Sequence, residues 1–150
     1  MPPADLPAPA DDGAARASRG GAGRVRGTRR AYEYAVLRVV PSVERGEFLN
    51  AGVLLYAQAE DFLAARVHLA PDRLRALAPG ADVDAVVRQL DGIRDLAAGD
   101  GGPGSALPRG ERFRWLVAPR STVLRAGPVH MGLAEDPATE LERLLGLLVH

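Results

Sequence analysis

Three apolar segments follow one another early in the chain with only short connectors between them, and that spacing limits the fold more than any other feature. The first, "YEYAVLRVV" at residues 32–40, is rich in β-branched and aromatic residues and is apolar at odd and even positions alike. A strand reads this way when both of its faces are covered. The second, "FLNAGVLLYA" at residues 48–57, has the same two-sided character. The third, "FLAARVHL" at residues 62–69, alternates and places Arg66 and His68 on its more polar face. Connectors this short cannot carry a crossover between parallel neighbours, so the three segments predict an antiparallel meander.

Helical signals follow. Pro71 opens a short helix over residues 71–78, and Asp82 caps a longer one. In it Val83, Val86, Val87, Leu90 and Ile93 recur at helical spacing until Gly99 ends the pattern. Near the end of the chain, Asp136 and Pro137 start a helix that carries Leu141, Leu144, Leu145 and Leu148 on one stripe. Between these, "RFRWLVAP" at residues 112–119 and "STVLRAG" at residues 121–127 are expected as further strands. Phe113 and Trp115 would then share a buried face, with Arg112 and Arg114 opposite. The expected fold is α+β: an antiparallel sheet of four to five strands, two helices after the third strand, and a C-terminal helix packed on the sheet.

Residues 1–30 are rich in Pro, Ala, Gly and Arg and contain no aromatic residue. Such a segment buries too little apolar surface to offset its ordering entropy, so a disordered tail is expected there and a single α+β domain over residues 31–150. The tail holds six Arg against three Asp, and the chain as a whole is neutral, so residues 31–150 carry the opposite balance. The acidic balance of that part argues against a broad nucleic-acid surface on it. The tail itself is either a basic arm for nucleic acid or a solvated end.

Composition removes several chemistries. All 19 basic residues are Arg, which excludes a Schiff-base lysine and the lysine of a P-loop. The absence of Cys excludes disulfides, a thiolate nucleophile and cysteine zinc sites. No cofactor is implied. The N-terminus lacks the apolar core of a signal peptide and no apolar run is long enough to span a bilayer, so no membrane association and a cytoplasmic location are expected.

Two stretches carry candidate site residues. In "RVVPSVERGEFLNAGV" at residues 38–53, Arg38 shares a strand face with Tyr34, Val36 and Val40, where a guanidinium needs a partner. With Arg45, Glu47 and Asn50 nearby, it could form a fork for phosphate or carboxylate, or an internal ion-pair network closed by Glu44 or Glu47. The second stretch, "APRSTVLRAGPVHMGLAEDP" at residues 118–137, holds Arg120, Ser121, His130, Glu135 and Asp136. Ser121 lacks a nucleophile elbow. His130, between Pro128 and Gly132, is either an ordered structural histidine or a general acid or base oriented by Glu135 or Asp136. His68 and His130 are not at ligand spacing, so no metal site is expected. The glycines of residues 99–110 suggest a nucleotide cradle only superficially, because no strand leads into them.

Taken together, "YEYAVLRVVPSVERGEFLNAGVLLY" and "FRWLVAPRSTVLRAGPVHMGLAEDP", followed by the Leu-rich helix, resemble the bacterial domain-of-unknown-function family 3037 over roughly residues 32–149. In the first block Arg38, Pro41, Arg45, Gly46, Glu47, Asn50 and Gly52 match its pattern. In the second, Pro119, Arg120, Ser121, Gly127, Pro128, His130, Gly132, Asp136 and Pro137 do so. The resemblance brings no established activity; it implies at most a partnership with HipA-like kinases. The leading expectation is a non-enzymatic binding or accessory module that meets a protein partner, such as a HipA-like kinase, through an anion-binding or acidic-partner surface formed by Arg38, Arg45 and Arg120. The alternatives are a small enzyme for a phosphorylated or carboxylated substrate with His130 as acid or base, and a nucleic-acid binder using the N-terminal arm.

Overall fold

The computed structural model describes residues 27–120 and 122–150; residues 1–26 of the tail expected over residues 1–30, and Ser121, lie outside the described residues. The meander forms as the alternation predicts. Strands β1 (Arg30–Val39), β2 (Leu49–Ala57) and β3 (Phe62–Val67) pair antiparallel in the order β3-β2-β1. The far side of β1 is taken by two short strands in succession, β4 (Leu124–Ala126) and β5 (His130–Ala134), both antiparallel to it.

Helices cover both faces of this sheet, which explains why β2 is apolar at nearly every position. Val53 and Leu55 pack on one side beneath the C-terminal helix, and Leu54 packs on the other beneath Ala97, Phe113 and Leu116. After β3 come α1 (Pro71–Leu77), α2 (Val83–Ala98), a single 3₁₀ turn (Pro103–Ala106) and α3 (Arg109–Val117). The chain closes on α4 (Pro137–Leu148). The caps are the ones the sequence marks. Asp82 accepts from the Ala85 amide, Gly99 takes the left-handed conformation at φ 86°, and Asp136 accepts from the Thr139 amide. The Thr139 hydroxyl and amide together hold the Asp136 carboxyl below the usual range. Among the described residues no helix is long and apolar enough to cross a membrane.

One segment differs from its sequence reading. Residues 109–117 are helical, not extended. Phe113, Leu116 and Val117 recur at helical spacing, and only a helix lets Phe113 and Leu116 enter the same core cluster. The change of period separates the two aromatics: Phe113 is fully buried, whereas Trp115 is 51% exposed. It also buries Arg112 and leaves Arg114 outside, where it grips Glu33 of β1 through two 2.8 Å hydrogen bonds. Three α-helices therefore follow β3 rather than two, and the fifth strand is His130–Ala134.

Helix α4 is held mainly by packing. Leu141, Leu144 and Leu145 are buried against Tyr32, Val53 and Leu55, each contributing about 1.5–3 kcal/mol by the usual burial scale. The exposed Arg66–Glu142 pair adds at most about 1 kcal/mol. At the N-terminal turn of α4, the Tyr32 hydroxyl donates to Glu140, which Arg143 also holds with two hydrogen bonds. Gly132 makes room for this ring: a Cβ there would lie 2.6 Å from the Tyr32 hydroxyl oxygen. Burial first, and then the hydrogen bond to Glu140, push the Tyr32 phenol up to about 12. A raised native value means that this contribution is complete below the ordinary tyrosine value of about 10. It is lost as pH rises from there through about 12. Tyrosinate absorbance and chemical unfolding followed over that window are expected to show coupled ionisation and loss of stability, absent in Tyr32→Phe.

Candidate functional site

The two candidate stretches meet in space along the β1–β4 ladder. Arg38 and Arg125 are direct cross-strand partners, the Val40 amide donates to the Val123 carbonyl at 2.6 Å, and the Gly127 amide donates to the Val36 carbonyl at 2.8 Å. The ladder then slips. Leu37 faces Ala126 but Tyr34 faces His130, so three residues, Gly127 to Val129, oppose two on β1. This is a β-bulge at the sheet edge, with Pro128 unable to donate a ladder bond.

A second irregularity lies across β1. Leu37 faces Gly52 while Arg38 faces Asn50, which leaves Ala51 as the extra residue in β2. Arg38 thus sits where both neighbouring strands deviate. Its guanidinium lies over the Phe48 ring at 4.2 Å from the centroid and reaches across the edge strand at Gly127. A Cβ on Gly127 would come within 2.8 Å of the Arg38 Cζ, so the glycine is the notch that the guanidinium occupies.

Arg38, Arg120 and Arg125 line one open groove of about 390 Å³, walled by Val117, Pro119, Ala126, Gly127, Pro128 and Val129. Arg120 comes from the turn after α3. It donates to the carbonyls of Trp115 (2.6 Å) and Leu116 (3.2 Å) and stacks on the Trp115 ring at 4.6 Å. Cations suit a helix C-terminus, and those bonds fix its side chain. Arg125 donates from Nε to the Thr122 carbonyl at 3.3 Å. Two buried donors at the groove find no acceptor among the described residues: Arg38 Nε and Arg125 Nη2.

The electrostatics of the groove are one-signed. Ion pairs occupy eight other arginines: Arg30, Arg45, Arg66, Arg75, Arg94, Arg109, Arg114 and Arg143. Among the described residues, Arg38, Arg120 and Arg125 have no carboxylate partner and no acidic side chain lines the groove. Like charges placed directly across a ladder are destabilising, so the Arg38–Arg125 pair is a local cost to folding that an anion held between the two guanidiniums would relieve.

Several expected members of the site lie elsewhere. Arg45 is in the exposed connector and is bound bidentately by Glu47 at 2.9 and 3.1 Å, which holds the Glu47 carboxyl below its usual range. Asn50 donates its amide to the Leu148 carbonyl at 3.1 Å and ties β2 to the end of α4. His130 packs against Tyr34 with tilted rings 5.2 Å apart and is not among the residues lining the groove. Arg125 takes the place that the sequence reading gives to Arg45; its signal was strand pairing with Arg38, which local spacing does not show.

The matched region corresponds to this architecture. A model of the family described as protein of unknown function (DUF3037) matches residues 34–149. The chain belongs to the DUF3037 family. No match was found among curated proteins or solved structures. In this DUF3037 chain the match runs from within β1 through α4, so both halves of the arginine groove lie inside it.

The glycine-rich residues 99–108 are organised from within: Arg112 donates to the carbonyls of Ala97, Leu107 and Ser105, which ties the loop's carbonyl oxygens to a buried cation. A pocket of about 380 Å³ between α1, α2 and Val123 is mostly apolar, and its Asp82 is already the cap of α2. No group of three metal-ligating side chains occurs among the described residues.

Proposed function

We propose that this protein is a binding module whose arginine groove captures an anionic group, a phosphate or a carboxylate, carried by a protein partner. The observation that carries the reading is the convergence of Arg38, Arg120 and Arg125 on one groove with no carboxylate partner among the described residues; eight other arginines are paired, and the remaining unpaired ones, such as Arg73 and Arg88, do not line it. Aromatic stacking under Arg38 and Arg120 supports it, because a guanidinium held flat loses less freedom when it accepts a ligand. On this reading the partner carries the anion, and a HipA-like kinase is the first candidate that the family resemblance suggests.

Titration with inorganic phosphate, followed by amide chemical shifts, tests the reading. Shifts at Arg38, Arg125 and Gly127 are expected, and the double variant Arg38→Gln/Arg125→Gln should weaken binding on the order of tenfold or more, since bonds to charged groups are worth about 1.5–3 kcal/mol each. Gly127→Ala should weaken it too by filling the notch, at little cost to the fold, because the atom it displaces ends a flexible side chain. Binding that is unchanged in all of these variants would rule the groove out.

A further inference from the structure

The groove opens at one end of an unguarded sheet edge. Among the described residues β5 pairs only with β1, so its outer edge has no strand partner. Edges of this kind are normally blunted by charges, prolines or bulges. The strand itself, "HMGLA", contains no Asp, Glu, Lys, Arg or Pro, and its apolar side chains face solvent, with Met131 71% and Leu133 56% exposed. The one blunting device, the bulge at Pro128, lies beside the groove rather than along β5. The opposite edge differs: β3 carries Arg66, which is paired with Glu142.

Register relates the edge to the groove. Gly127 lies on the face of the sheet that bears Arg38 and Arg125, and Met131 and Leu133, the partners of Glu33 and Ala31, lie on the other face. An extended segment laid along the edge points successive side chains to alternate faces. It can therefore present an acidic side chain to the arginines and, at odd intervals further along, apolar side chains to Met131 and Leu133.

We infer that the partner docks as an added strand on β5: an extended acidic peptide segment whose carboxylate or phosphate enters the groove while its backbone pairs with residues 130–134. This rests on the anion reading of the groove and adds to it the partner's conformation. The occupant follows from charge complementarity, because among the described residues three unneutralised guanidiniums lie next to a stretch of this edge that presents both free backbone and apolar side chains.

The test uses short synthetic peptides of alternating valine and threonine that carry one glutamate near an end, with glutamine and phosphoserine counterparts, added to the full chain. The glutamate peptide is expected to bind about tenfold more tightly than the glutamine one, the phosphoserine peptide at least as tightly, and both to slow amide exchange over residues 130–134. N-methylation of alternate peptide amides should abolish binding in one register and spare it in the other. Inorganic phosphate that binds through Arg38 and Arg125, alongside peptides indifferent to N-methylation, overturns strand addition and leaves the anion reading standing. Failure of phosphate and peptides alike overturns both. Slow exchange over residues 130–134 that grows with protein concentration in the absence of peptide assigns the edge to a second copy and also overturns the inference.

Discussion

Gly52→Ala is expected to be among the most destabilising single substitutions in this protein, at about 2–3 kcal/mol. Gly52 lies in the middle of β2, opposite Val67, with β1 on its other side. A Cβ there would fall 2.7 Å from the Arg66 carbonyl oxygen and 3.1 Å from Leu37 Cδ1. The first contact is with backbone in a neighbouring strand, so relief requires β2 and β3 to separate locally. Leu37 is fully buried and has no space into which to withdraw. Urea unfolding of the variant measures the effect. Gly146→Ala is the matched control, since a Cβ at that helical position meets nothing within 4 Å; it should be neutral or stabilising by up to about 1 kcal/mol. Equal stability of the two variants would show that the close approach of β3 to Gly52 is not a constraint.

Arg112→Ala should cost about 3 kcal/mol or more. Arg112 is the one buried charged side chain among the described residues, and it has no carboxylate. Its charge is instead spread over carbonyls: Ala97 at 3.1 Å, near the end of α2 where the helix dipole favours a cation, and Leu107 at 2.8 Å in the loop before α3. Alanine would orphan those oxygens and open a void beneath the glycine-rich loop. Equilibrium unfolding should report the loss, and hydrogen exchange should show it concentrated in residues 99–108. Arg112→Lys recovers only part, because one ammonium cannot span carbonyls that a planar fork reaches from two sides. A loss below about 1 kcal/mol in the alanine variant would mean that water replaces the guanidinium freely.

The contrast between Arg112 and the groove arginines shows what the chain's patterning could convey. Read as sequence, Arg38 and Arg120 are candidate site residues, Arg112 falls on the strand face opposite the core, and nothing singles out Arg125. Arg112 acts structurally only because residues 109–117 are helical, and short apolar runs read equally well as strand or helix. The spacing of Phe113, Leu116 and Val117 was the available signal, outweighed by the β propensity of "RFRW". Proximity in sequence groups Arg45 with Arg38. The fold turns Arg45 outward to Glu47 and supplies Arg125 from far along the chain.

What the sequence determined by itself is local. The three-strand meander, the caps at Asp82 and Asp136, the stop at Gly99 and the apolar stripe of α4 each follow from periods and side-chain geometry that operate within a few residues. Tertiary structure decided, among the described residues, which arginines stay unneutralised, where the edge strand bulges and which edge of the sheet is left open. Those outcomes depend on pairing between distant segments, and a guanidinium beside apolar residues is a structural tie or a binding group according to which carbonyls and carboxylates the rest of the chain brings within its reach.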